Sequence, residues 1–256
     1  MSASRRIFIK NENIYRDKFV IQDRETAKYL RKVLRLNVGD RVSLFDGEGH
    51  EYDAEIGLLR KDVVKGRILD AENSGLRLKA WKRNDQPQFQ IRLSLILAQA
   101  FPRAGKLDEI VRMNTEIGVS GFLFIESEYS VVKVQSFPES KLDRLSRVAR
   151  EATRQSERLT IPKLKIVGDF IAALKYPADY KILLHSRQVV GSQDLGGLRS
   201  RIPHKAWIIL LVGPEGGFSS REVAEAKKAG FKIAYLNLPV MRTETAGVVA
   251  GGIILS

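Results

Sequence analysis

The sequence predicts an α/β protein in which a mostly parallel sheet flanked by helices follows a small β-barrel domain. Three observations carry that reading. Short apolar strands separated by turn residues fill the first part of the chain, strands and helices alternate from Phe89 onward, and two apolar strands near the end each break off into a loop. The corresponding division is residues 1–82 for the barrel, 83–88 for a linker and 89–256 for the α/β domain.

In the first domain the strands are Arg5 to Ile9, Phe19 to Ile21, Arg41 to Phe45, Tyr52 to Gly57 and Val63 to Leu69, with turns at Val38-Gly39-Asp40 and Asp46-Gly47-Glu48-Gly49. Closing such a sheet removes its exposed edges. One helix interrupts it, Asp23 to Leu34, capped by Asp23. That helix and the turn after it carry Arg24, Lys28, Arg31, Lys32 and Arg35, which suit either a solvated face or contact with RNA. The polar run Lys82 to Gln88 is the linker.

In the second domain Phe89 to Ala100 reads as a strand, Gly105 to Ile117 as a helix ended by Gly118, Gly121 to Ile125 as a strand, and Pro138 to Arg158 as a long helix. Strands follow at Leu164 to Val167 and Tyr180 to Leu184, and Ser186 to His204 reads as a loop. Trp207 to Val212 is an apolar, β-branched strand that stops at Gly213-Pro214-Glu215-Gly216-Gly217-Phe218. Ser219-Ser220-Arg221-Glu222 is a capping box opening a helix through Lys228. The strand Lys232 to Leu236 then runs into a loop that ends at Thr245, before an apolar terminal helix.

With 43 Lys+Arg against 30 Asp+Glu the net charge is +13, and both parts are basic: 19 basic and 14 acidic residues lie before Phe89, 24 and 16 after it. The excess favours a polyanionic partner, nucleic acid ahead of membrane. No apolar stretch reaches membrane-spanning length, Met1 to Lys10 lack the apolar core of a secretory signal, and the expected location is the cytoplasm. Without cysteine, and with three scattered histidines, a metal centre is not expected.

On the long helix, at 100° per residue, Leu142, Leu145, Val148, Ala149 and Ala152 share one face and Arg147, Arg150, Arg154 and Arg158 the opposite one. Guanidinium groups in a row suit phosphates and bases, with Gln155 beside them; the same row also suits a solvated surface. The glycine-rich turn is neither a Walker A loop nor a G-x-G-x-x-G fingerprint, so ATP hydrolysis and ordinary NAD chemistry lose support. Its glycines permit close backbone approach to a ligand. The later loop offers Leu236, Leu238 and Met241 for a flat ring and Arg242, Thr243, Glu244 and Thr245 as polar chemistry, although Thr243 or Thr245 also suits a helix cap. Both loops lie at the edge where open α/β sheets bind ligands.

Val212 to Phe218 together with Met241 to Ala246 resembles the bacterial 16S ribosomal RNA uracil-N3 methyltransferases within the SPOUT methyltransferases. The resemblance continues through Lys106-Leu107-Asp108, Thr115 to Val119, Ser130 to Lys133 and Glu151 to Arg158, and includes Val33 to Asp40 and Phe45 to Gly47. Met113-Asn114, Tyr129 and Met241 depart from the residues usual in that family. The resemblance implies a PUA-like barrel, then a domain whose carboxyl-terminal segment forms a trefoil knot, and a homodimer. It implies an S-adenosylmethionine site made by Gly213, Pro214, Glu215, Gly216 and Gly217 with Leu236, Leu238, Met241, Thr243 and Thr245, and with Leu184 and His185 at the preceding strand end. Arg242 then stands by the methyl-transfer centre, and the substrate is 16S rRNA of the small ribosomal subunit.

For such chemistry the N3 proton of uracil has to leave before or during transfer. Arg242 suits stabilisation of the resulting anion and Glu244 suits acceptance of the proton, with Glu116 and Glu151 in reserve. Two other readings stand beside this one: methyl transfer to another RNA target, and a non-catalytic RNA-binding or ribosome-assembly protein.

Overall fold

The computed structural model describes residues 5–69, 93–103 and 105–256, and they form two units. The predicted linker and the first residues of the strand at Phe89 lie outside the described residues.

The first unit contains residues 5–69 together with Thr153–Ile161. Its strands are β1 (Arg6–Phe8), β2 (Ile14–Tyr15), β3 (Lys18–Ile21), β4 (Arg41–Phe45), β5 (Glu51–Leu59) and β6 (Val64–Ile68), in a single sheet of order β1-β4-β5-β6-β3-β2. All pairings are antiparallel except β1 with β4. Alternation places Val42, Leu44, Ala54, Ile56 and Val64 in one core with Ile7 and Phe19, and the helix α1 (Arg24–Lys32) closes that core with Ala27 and Leu30. Asp23 caps α1 as expected, accepting the Thr26 N–H at 2.8 Å.

Residues Thr153–Ile161 join this unit through backbone and charge. Buried Arg6 donates to the carbonyls of Thr153 (3.2 Å) and Arg158 (2.6 Å) and pairs with Glu51 at 2.6 Å, while its guanidinium lies 4.2 Å from the centre of the Phe45 ring. Ile161 N–H donates to the Gly47 carbonyl at 2.9 Å.

The second unit is a seven-stranded sheet in which every pairing is parallel, the arrangement expected of alternating strands and helices. Its strands are β7 (Leu93–Ala100), β8 (Gly121–Glu126), β9 (Lys163–Asp169), β10 (Tyr180–Leu184), β11 (Gln193–Asp194), β12 (Ala206–Val212) and β13 (Lys232–Tyr235), in the order β11-β13-β10-β12-β7-β8-β9. The helices are α2 (Leu107–Glu116), α3 (Glu139–Gln155), α4 (Phe170–Leu174), α5 (Leu195–Arg199), α6 (Ser220–Lys228) and α7 (Thr243–Leu255). One core gathers Ala98, Ala100, Leu183, Ile209, Leu211, Phe218, Ala226, Phe231 and Ile233.

Two expectations are corrected. The segment Ser186 to His204 is not all loop: it contains β11 and α5. Five residues with two adjacent glycines carry little helix propensity, so α5 rests on tertiary support. Leu195 and Leu198 are buried and the Asp194 carboxylate accepts the Gly197 N–H at 3.0 Å. The long helix ends at Gln155, short of Arg158, because Glu157 adopts a left-handed conformation with φ 57°.

The terminal helix α7 packs on α2, α5, β7 and β12. Gly251 makes the close approach possible: a Cβ there would stand 2.9 Å from Ile117 Cδ1, whereas one on Gly252 would meet nothing within 4 Å. Replacing Gly251 with valine should cost about 1–3 kcal/mol of stability through overpacking. Gly252→Ala should instead raise stability by up to about 1 kcal/mol. Chemical denaturation of the two variants checks the contrast.

Candidate active site

Strands β7, β10, β12 and β13 are mutually parallel neighbours, so their carboxyl ends emerge on one edge of the sheet. The chain leaves β12 through Gly213. A Cβ on Gly213 would lie 3.1 Å from the Gly217 backbone, which fixes how tightly the turn folds on itself. The Gly217 N–H closes the turn by donating to the Pro214 carbonyl at 2.9 Å, and Gly217 adopts φ 70°. Phe218 then turns inward against Phe170, with ring centres 5.3 Å apart. Glu215 holds the outer side of the turn by accepting the Arg103 N–H at 3.1 Å.

The capping box follows at once. The Glu222 N–H donates to Ser219 Oγ at 3.2 Å, and the Ser219 N–H donates to Glu222 Oε2 at 2.9 Å. The other Glu222 oxygen accepts the Glu128 N–H at 2.9 Å, and Ser219 Oγ donates to Glu128 Oε2 at 2.8 Å. These bonds lie in a second cavity of about 630 Å³, where Glu126 and Asp169 are likewise engaged, by the Val134 N–H and the Ala172 N–H. Of its carboxylates, Glu222 and Glu128 hold Ser219 and so the far end of the glycine turn, whereas Asp169 caps α4.

The second loop runs from Leu236 to Arg242 and delivers α7. Neither threonine caps that helix: Arg242 occupies the cap position and makes no side-chain cap bond. Thr243 is the first helical residue, and its hydroxyl donates to the Gly213 carbonyl at 2.6 Å, joining the two loops directly. Gln99, wholly buried near the end of β7, donates through Nε2 to Thr243 Oγ1 at 3.0 Å and to the Ala100 carbonyl at 3.0 Å. The same Nε2 stands 3.4 Å from the carbonyls of Val212 and Gly213.

Glu244 is buried and pairs with Lys106 at 2.8 Å. Burial alone would raise the Glu244 pKa. The Lys106 hydrogen bond, a backbone N–H and the charges of Lys106 and Arg242 outweigh it and hold the carboxyl below its ordinary value. Lys106 is pushed above its ordinary value, chiefly by its hydrogen bond to Glu244 and by the charge of that carboxylate.

Between the loops lies a cavity of about 490 Å³. It gathers Leu184, His185, Gly213, Pro214, Glu215, Gly216, Gly217, Leu236, Leu238, Met241, Arg242 and Thr243 of the residues singled out from the sequence. Glu244 and Thr245 are not among its lining residues; Thr245 is exposed on α7. At the β10 exit, His185 Nδ1 sits 2.8 Å from the Arg187 carbonyl, which holds the ring against its own loop. Ser186, Arg187, Val240 and Ala246 also line the cavity without having been singled out. Gln99 and Lys106 were missed as site residues. For Gln99 the available signal was one amide in the otherwise apolar run Leu95 to Ala100.

The arginine row on α3 divides between the units. Arg147 and Arg150 belong to the second, with Arg147 exposed. Arg154, Gln155 and Arg158 belong to the first, as do exposed Arg31 and Arg35. The Arg154 guanidinium stacks 5.3 Å from the Tyr29 ring centre, and burial lowers the Arg158 pKa to about 10.

A family profile described as an RNA methyltransferase domain matches residues 90–255, and another described as an RNA methyltransferase PUA domain matches residues 21–69. The chain is 30% identical over 225 residues to ribosomal RNA small subunit methyltransferase E of Synechocystis sp., covering 87% of this chain and 68% of that one. To the Bacillus subtilis enzyme of the same name it is 25% identical, covering 88% and 85%. Among solved structures it is similar to ribosomal RNA small subunit methyltransferase E from Neisseria gonorrhoeae bound to S-adenosyl methionine, at 26% identity and a TM-score of 0.79, covering 97% and 95%. With a parallel sheet whose loops meet at one edge and a family profile spanning nearly all of the second unit, the chain belongs to the RNA methyltransferase family whose named members are ribosomal RNA small subunit methyltransferases E.

Proposed function

We propose that this protein transfers a methyl group from S-adenosylmethionine to N3 of one uridine in the 16S rRNA of the small ribosomal subunit. The observation that carries the reading is the cavity between the glycine turn and the Leu236 to Arg242 loop, with Arg242 in its lining. At about 490 Å³ it lies in the range of small-ligand sites, and its residues fit the cofactor. Leu184, Leu236, Leu238 and Met241 give apolar walls for a flat ring, and the turn glycines leave backbone groups uncovered for its edge.

The bound cofactor supplies an electrophilic methyl group. The chain's own part is to position and to stabilise charge. The Arg242 guanidinium at the cavity compensates the negative charge that uracil gains as N3 loses its proton. Glu244 is ionised and engaged by Lys106. A carboxylate with a lowered pKa is a weak base, so its contribution is to fix the start of α7 and the charge balance around Arg242.

The exposed arginines Arg31, Arg35 and Arg147, with Arg150, Arg154, Gln155 and Arg158, supply phosphate contacts in this reading. The homodimer and the knotted carboxyl-terminal crossing are part of the same reading and rest on the family resemblance. So does action in the cytoplasm, where small ribosomal subunits are made and used. Light scattering of the purified protein should give roughly twice the chain mass of 28.8 kDa.

Mass spectrometry of digested 16S rRNA from a strain lacking the gene should show loss of N3-methyluridine, restored by the wild-type gene; retained N3-methyluridine would refute the assignment. Arg242→Ala should bind S-adenosylmethionine within about twofold of wild type while kcat falls by roughly 10²–10³. Calorimetry and single-turnover assays on small subunits separate the two effects.

The Lys106–Glu244 pair predicts a pH window. Glu244 sits below its ordinary 4.5, so its contribution is present above that value and lost as pH falls through the folded pKa. Lys106 sits above its ordinary 10.5, so its contribution is present below 10.5 and lost as pH rises through the folded pKa. Lys106→Met should therefore lower the melting temperature near neutral pH, and the deficit should shrink as pH falls below 4.5 and through the folded pKa of Glu244. A deficit independent of pH would rule out the pair as its cause.

A further inference from the structure

The geometry points to Gln99 as a positioning residue that locks the methyl-donor turn to the start of α7 and so sets where Arg242 stands; this rests on the methyltransferase reading above. One end of the Gln99 amide faces three carbonyl oxygens and the Thr243 hydroxyl. Four acceptors around one end identify it as the NH2 end, because an amide oxygen there would oppose the three carbonyls.

The bonds form a directed chain. Gln99 Nε2 donates to Thr243 Oγ1 at 3.0 Å, and Thr243 Oγ1 donates to the Gly213 carbonyl at 2.6 Å. The hydroxyl spends its only proton on Gly213 and accepts from Gln99, so each bond polarises the next. Gln99 is wholly buried and Thr243 is 5% exposed, so water does not substitute for either partner. Three elements thereby share one register: β7 through Gln99, the β12 exit through Gly213, and α7 through Thr243. Arg242 immediately precedes Thr243, and its carbonyl accepts the N–H groups of Thr245 and Ala246 at 3.0 and 2.9 Å. Shifting Thr243 moves the backbone of Arg242 with it.

Gln99 touches neither the cavity nor, by this account, the RNA, so its action passes through Thr243. The side chain has close chemical relatives that separate this role from packing. Methionine keeps the length and removes the donor. Glutamic acid keeps the shape and donates only when protonated; ionised, it would oppose the carbonyls of Ala100, Val212 and Gly213.

The test measures kcat on small subunits at saturating cofactor and RNA for wild type, Gln99→Met, Gln99→Glu, Thr243→Val and the Gln99→Met/Thr243→Val double variant, with thermal melting to confirm folding. Gln99→Met should lose roughly 10- to 100-fold in kcat, as misplacement of a reacting geometry by about 1 Å does, with the KM for RNA little changed. The double variant should be scarcely worse than the more damaged single variant. For Gln99→Glu, the ratio of its kcat to that of wild type should rise as pH is lowered, while the ratio for Gln99→Met stays flat. Wild-type kcat in folded Gln99→Met, independent losses in the double variant, or a pH-independent deficit in Gln99→Glu equal to that of Gln99→Met would overturn the assignment. Calorimetry of the wild type with S-adenosylmethionine distinguishes the two levels. Absence of binding sinks the methyltransferase reading itself, whereas binding combined with an intact Gln99→Met sinks only the role of Gln99.

Discussion

Parallel pairing is the constraint on which the second unit depends. Because β7, β10, β12 and β13 run the same way, their exits gather on one edge, and segments remote in sequence become walls of one cavity. The apolar strands give that edge rigidity. Ile208, Ile209, Leu210 and Leu211 are fully buried in β12, so the glycine turn starts from a fixed point. The capping box at Ser219 and Glu222, tied to Glu128 at the end of β8, fixes its far end. The turn is thus held at both ends while its own backbone stays open to a ligand.

Much of this was legible in the residues. Periodicity located the long strands and helices, and the serine and glutamate spacing gave the start of α6. The pairing of two loops at one sheet edge could be read from the residues, whereas Leu184 and His185 came only with the family resemblance. Short elements were not legible, because β11 and α5 are stabilised by partners elsewhere in the chain: β11 by pairing with β13, α5 by burial of two leucines. The role of Gln99 was not legible, since a strand pattern says which residues are buried and not which hydrogen bonds await them.

Helix α3 shows a related limit. Its apolar face and arginine row were visible at helical spacing, but the spacing cannot say that its last turn belongs with the first unit. That allocation comes from Arg6, whose guanidinium takes the carbonyls of Thr153 and Arg158. Glu244 is similar. As a sequence position it was a carboxylate beside Arg242; in the fold it lies under Lys106, more than a hundred residues away in the chain, and that partner changes its chemistry from base to fixed charge.

The bond between Gln99 and Thr243 spans 144 residues. Contacts of such separation are slow to form, because the intervening chain loses conformational freedom before the contact repays it. A ligand that binds only the completed pocket draws the population toward the finished chain by mass action. Occupancy of the pocket and closure of α7 over it are thus thermodynamically linked.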